Sequence, residues 1–123
     1  MTRPLSRPPR NLQLPTTSNV EAAVATGYVG IMTVELHFPE SGSLKGKRKH
    51  VNSAKAQLHE RFGAAVAEVD HHDLWQRSTL AVACATRERG ELQNLLDAVE
   101  RYLGSQGYQL LRAEREVVVP GER

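Results

Sequence analysis

From Ile31 to Phe38 the chain follows a period of two. Met32, Val34, Leu36 and Phe38 are apolar, and Ile31, Thr33, Glu35 and His37 occupy the other set of positions. A period of two marks a strand with one buried face, which starts near Tyr28. Pro39 ends it, and Glu40-Ser41-Gly42 reads as a loop. Ser43 is placed to cap a helix, because its hydroxyl can accept from the unbonded N–H groups of the first turn. Val51, Ala54, Leu58 and Phe62 then recur at helical spacing, and Gly63 stops the helix. Ala64 to Val69 reads as a second strand. Asp70-His71-His72-Asp73 reads as a short polar turn, and Leu74 to Thr86 as a long third strand. From Arg87 to Leu103 the period returns to helical through Leu92, Leu95, Leu96, Val99 and Leu103, with Gly104 and Gly107 bracketing the end. Tyr108 to Val119 is the last strand, closed by Pro120-Gly121.

The order β-α-β-β-α-β predicts an α+β domain, the ferredoxin-like split β-α-β sandwich. Both helices then cover one face of a four-stranded antiparallel sheet, strands one and three are central neighbours, and the other face is open. The domain spans 28–119, with 120–123 as a C-terminal tail. Residues 1–27 read as a disordered basic extension: Pro4, Pro8, Pro9 and Pro15 break helices, and small polar residues and alanine dominate the remainder. A start codon assigned too far upstream would also produce such a segment.

Charge changes this picture only once it is located. The chain has 123 residues, one domain's worth, and a net charge of +2. Residues 1–27 hold Arg3, Arg7 and Arg10 against Glu21, which leaves 13 basic and 13 acidic side chains in 28–123. Lys45, Lys47, Arg48 and Lys49 place four cations in five positions at the predicted start of the first helix, so the rest of the domain carries −4. The positive end of the helix dipole sits there already, and exposed cations near it cost roughly 0.3–1 kcal/mol each. An anion docked at that end would offset the cost. Lys45, Lys47, Arg48, Lys49 and Lys55 are therefore the candidate contacts to a nucleic-acid phosphate backbone. Only three residues separate Gly42 from Gly46, and Lys47 precedes Arg48, so the run lacks the spacing and hydroxyl of a nucleotide-hydrolysing phosphate loop.

The open sheet face offers a second surface. Glu35 and His37 project outward from the first strand, Glu68 and Asp70 from the second, and Trp75 and Arg77 from the third, if the alternation holds. These six form a candidate interaction face for a partner or a second copy of the chain. Base-stacking domains of this topology carry aromatics on the central strands. Trp75 is the one clear platform here, with Tyr28 and Phe38 left open. The Asp70-His71-His72-Asp73 string, with His37, offers metal-ligand types, but adjacent strand residues point to opposite faces, so a polar turn is the simpler reading. Its Asp-His-His echo of a phosphoesterase signature lacks that class's further aspartate motifs. Cys84, the single cysteine, lies in the apolar run Leu80–Ala85 and reads as a small buried side chain. No catalytic residue, metal or cofactor is assigned. No apolar run approaches a membrane span and the N-terminus lacks a signal-peptide core, so a cytoplasmic location is expected.

Two stretches together carry a resemblance. Val29-Gly30, Val34–Pro39 and Ser43–Arg48 resemble the opening of the YlxP-like small bacterial proteins, and Ala67–His71 with Asp73–Arg77 resembles their second signature. The resemblance covers about residues 28–119, and relatives typically begin near Tyr28. It implies a ferredoxin-like fold and no catalytic residues, in a family without an assigned function. Its genes often stand beside those of a translation initiation factor and a ribosome maturation factor. The resulting expectation is a non-enzymatic protein that associates with ribosomal or other structured RNA. The alternatives are a homodimeric interaction module using the open sheet, and a metal-dependent enzyme around His37, Asp70 and His71.

Overall fold

The computed structural model describes residues 26–121, so nearly all of the basic extension and the last two residues of the C-terminal tail lie outside the described residues. Six elements follow in the expected order: β1 (Tyr28–His37), α1 (Leu44–Phe62), β2 (Ala65–Asp70), β3 (Arg77–Thr86), α2 (Arg89–Gly104) and β4 (Gln109–Val118). The sheet runs β2-β3-β1-β4 with every neighbouring pair antiparallel. This is the ferredoxin-like arrangement, with the first and third strands in the centre. Among the described residues no helix is long and apolar enough to cross a membrane.

The period-two face of β1 supplies Met32, Val34 and Leu36 to the core, and β3 supplies Leu80, Val82 and Cys84. Against them pack Val51, Ala54 and Leu58 of α1 and Leu92, Leu96, Val99 and Leu103 of α2. The closest approach is at Gly30, where an added Cβ would stand 2.8 Å from Leu96 Cδ1 and 3.0 Å from Leu92 Cδ1. The missing side chain is what lets α2 lie against β1. Arg115, on the helix side of β4, ties the outer flank of α2 by donating to Asp97 at 2.8 Å and Glu100 at 3.2 Å.

Ser43 caps α1 as its position predicts, accepting from the Gly46 N–H at 3.0 Å. Gly63 ends the helix at φ +66, where its N–H donates to His59 O at 2.9 Å. A left-handed residue at that site favours glycine.

Two departures from simple alternation shape the open face. The β3 strand begins at Arg77, not Leu74. The preceding residues are tied to the β1–α1 loop instead: Phe38 N–H donates to Gln76 O at 2.8 Å, and Gln76 Nε2 donates to Ser41 O at 3.1 Å. Both edge strands also carry a bulge. In β2 the register shifts between Glu68, opposite Leu80, and Asp70, opposite Thr79, which leaves Val69 unpaired. In β4 it shifts between Arg112, opposite Glu35, and Leu110, opposite Leu36, which leaves Leu111 unpaired. Because Thr79 faces Glu35 across the central pair, both bulges fall on one row: Asp70, Thr79, Glu35, Arg112.

Candidate functional site

The basic helix start divides into two parts. Lys45, Arg48 and Lys49 are exposed, and Lys55 is half-buried one to two turns further on. The first turn contains no acidic side chain, and among the described residues none of these four cations makes an ion pair. Since α1 starts at Leu44, Lys45 lies in the first turn and bears most of the dipole penalty, which fades beyond it. Arg61 of the same helix stacks on Tyr102 of α2 at 4.9 Å. Helical spacing puts Arg48 and Lys55 well away from that flank, turned from α2.

Lys47 corrects the expectation made for it. Its side chain is 2% exposed and points inward. All three ammonium protons are used: Nζ donates to Glu68 Oε2 at 3.1 Å, His71 O at 2.7 Å and Arg77 O at 3.1 Å. A cation so enclosed is not available to a phosphate. The spacing that makes Lys45 and Arg48 solvent-facing turns Lys47 toward the Val51–Ala54–Leu58 stripe. It then finds a carboxylate and two carbonyls that sequence alone could not place there.

Glu68 is corrected with it. In regular register Glu68 pairs with the core residue Leu80, which puts it on the helix side of the sheet, where it accepts from Lys47 and from the buried Ser78 hydroxyl at 2.6 Å. Burial would raise its pKa, but the Ser78 and Lys47 hydrogen bonds and the charges of Lys47 and His72 outweigh that and hold it below the ordinary 4.5. Glu68 is therefore not part of the open face.

The other residues expected on that face separate. Glu35, His37 and Arg77 do project from it, and the bulge delivers Asp70 to it. Arg77 donates to Glu35 through Nη2, and His71 Nε2 stands 3.5 Å from the same carboxylate oxygen. His71 adopts φ +58, rare for a residue with a β-carbon. Its N–H donates to Asp70 Oδ1 at 2.8 Å, and its carbonyl is one of the two held by Lys47. Arg112 and Glu114 pair at 2.7 Å on the far side, and with Glu35, Asp70 and His71 they line a depression of about 250 Å³ together with Thr33 and Thr79. The buried lysine thus closes the base of the 71–76 loop, and the two residues whose carbonyls it holds send their side chains to Glu35.

Trp75 is in that loop and not on a strand; it is 57% exposed beside His37, Leu74 and Arg77. His37, two residues along β1 from Glu35, donates from Nδ1 to Gln109 Oε1 of β4 at 2.8 Å. It does not join Asp70 and His71, and among the described residues no group of three or more His, Cys, Asp or Glu is placed to hold a metal ion.

A further cavity escaped the sequence reading. At the end of the domain where β1 runs into α1, Phe38, His50, Ser53 and Tyr108 enclose about 340 Å³ with the α2–β4 turn. Phe38 and His50 stack at 5.5 Å with 17° between planes, and Tyr108 meets Phe38 edge-on at 5.2 Å. Their separation along the chain hides the cluster. The one local signal was an aromatic at position 50 beside the cationic run.

The order of elements, the Ser43-capped basic helix and the Asp70–Arg77 loop can be set beside known sequences. Over 77 residues, 63% of this chain and 84% of the relative, the sequence is 25% identical to the uncharacterized protein YlxP of Bacillus subtilis strain 168. A family of proteins of unknown function, DUF503, has a sequence model that matches residues 29–115, nearly the whole βαββαβ unit, and the chain belongs to that family.

Proposed function

We propose that this domain binds structured RNA, with ribosomal RNA as its first candidate, through phosphate contacts made by Lys45, Arg48, Lys49 and Lys55. The observation that carries this reading is a set of cations, three of them exposed, in the N-terminal part of α1 with no acidic partner among the described residues. Folding explains Lys47, which is consumed inside; it gives no account of the others, and Lys45 stands at the unfavourable end of the dipole. A phosphate backbone supplies the missing counter-charge. No catalytic step is assigned.

The test is sedimentation of the protein with ribosomal subunits at low and moderate salt, beside the variant Lys45→Glu/Arg48→Glu/Lys49→Glu. Each phosphate contact contributes about 0.7–0.9 to the slope of log affinity against log salt. The wild type is expected to co-migrate with one subunit in a salt-sensitive way, and the variant to stay at the top of the gradient. Equal co-migration of both would remove the phosphate role.

A second reading, self-association through the open sheet, is favoured by exposed Trp75, Leu74 and Leu111, all near the bulged row. It predicts a concentration-dependent mass in solution that Trp75→Ala reduces to that of the monomer. A wild type that stays monomeric at all concentrations would end it.

A further inference from the structure

The cavity between Phe38, His50, Ser53 and Tyr108 lies beside the phosphate cations, and that placement bears on what kind of RNA the domain takes. Lys45, Lys49 and Ser53 follow at i, i+4 and i+8, one row along α1, so the exposed cations lead directly to the cavity wall. About 340 Å³ is near the lower end of small-ligand sites, which run from roughly 300 to 1,000 Å³. His50 is exposed, and its ring stacks on buried Phe38. Histidine is among the side chains on which unstacked bases are held. Two of the lining side chains supply acceptors beside the hydroxyls of Ser53 and Tyr108, which can donate or accept. Glu40 contributes a carboxylate. Gln106 uses its Nε2 on Tyr102 O and Ser105 Oγ, both at 3.2 Å; because a carbonyl can only accept, this fixes the amide orientation and leaves Oε1 free to accept.

We infer that this cavity receives one unpaired RNA base carrying an exocyclic amine, adenine, cytosine or guanine in preference to uracil, while Lys45 and Lys49 hold the adjoining phosphates. The inference rests on the RNA reading and narrows it: the target is a loop, bulge or end beside a helix, not uninterrupted duplex.

Two experiments on the whole chain separate the failure of this inference from failure of the RNA reading. In amide NMR titrations with AMP, UMP and inorganic phosphate, AMP is expected to shift His50, Ser53, Gly107 and Tyr108, with UMP at least threefold weaker. Phosphate alone is expected to shift only the start of α1. AMP shifts confined to the same residues as phosphate would overturn the base pocket, whatever RNA does. In the second experiment, a hairpin with an unpaired adenosine loop is compared with the fully paired duplex. Ser53→Phe, which fills the cavity from an exposed position, and His50→Ala, which removes the stacking face, are each expected to weaken hairpin binding roughly tenfold, as loss of one stacked base does. Duplex affinity and the salt slope should not move. Equal weakening of both RNAs, or none, overturns the base pocket. The Lys45→Glu/Arg48→Glu/Lys49→Glu protein reports separately on the phosphate contacts.

Discussion

Replacing Lys47 by methionine keeps the length and packing of the side chain and removes the ammonium. All three of its donors are occupied, one by a carboxylate and two by backbone carbonyls. Removing one partner of a buried ion pair typically costs about 3–5 kcal/mol. Two features pull the expected value toward the lower end. Glu68 is 21% exposed, so water partly hydrates the stranded carboxylate, and His71 O keeps the Leu74 N–H at 3.2 Å. Arg77 O loses its donor outright. We expect about 3 kcal/mol, read as a lowered urea midpoint with an unchanged slope. Trp75, the only tryptophan, lies in the loop that Lys47 closes, so its fluorescence should change before global unfolding. The pH dependence gives an independent check. Glu68 has a lowered pKa in the folded state, so the stability it contributes is complete above the unfolded value of 4.5 and is lost as pH falls through the folded value. The variant lacks most of that contribution, so the gap between the two proteins should narrow as the solution is acidified below 4.5. Adding Glu68→Gln to Lys47→Met should cost less than the sum of the single changes, because no charge is then stranded. A Lys47→Met protein within about 1 kcal/mol of wild type at pH 7, with a constant gap down the acid range, would refute the reasoning; Lys47 would then be a solvated cation open to phosphate after all.

Ser43→Ala should cost about 1 kcal/mol in thermal or urea unfolding, since it strips the acceptor from the Gly46 N–H. Gly30→Ala should cost about 1–3 kcal/mol, because the new Cβ meets Leu96 and Leu92 and α2 must shift; a neutral result would mean the helix is not pressed on β1 there. Cys84 is buried and its thiol pKa is raised by desolvation, so it should react with an aromatic disulfide reagent only under unfolding conditions. Leu96→Ala, at a fully buried position of α2, should cost about 2–5 kcal/mol.

The periods of the hydrophobic pattern were sufficient for the fold because they are local properties of the chain. A two-residue repeat in β1, a helical stripe after Ser43 and a glycine at position 63 each report on their own segment, and six such segments in this order leave few ways to bury their faces. The exposed fates of Lys45, Arg48 and Lys49, and the outward faces of Glu35, His37 and Arg77, follow from the same periods. The sequence could not show where a register slips. Glu68 faces the helices because it pairs with Leu80, and the Val69 bulge then turns Asp70 to the open face; both depend on the pairing partner in β3. Nor could it show that Trp75 leaves the sheet, because the loop is held by hydrogen bonds to the β1–α1 segment more than 30 residues away in the chain. The fate of Lys47 was decided by the same long-range geometry: a carboxylate 21 residues on and carbonyls 24 and 30 residues on converge on one ammonium. Likewise the cavity of Phe38, His50 and Tyr108 exists only once three separate elements meet. Local periodicity selects the elements and their buried faces; partners that lie far apart in the chain, brought within hydrogen-bonding reach by the packed sheet, select which charges are spent on the fold and which stay exposed.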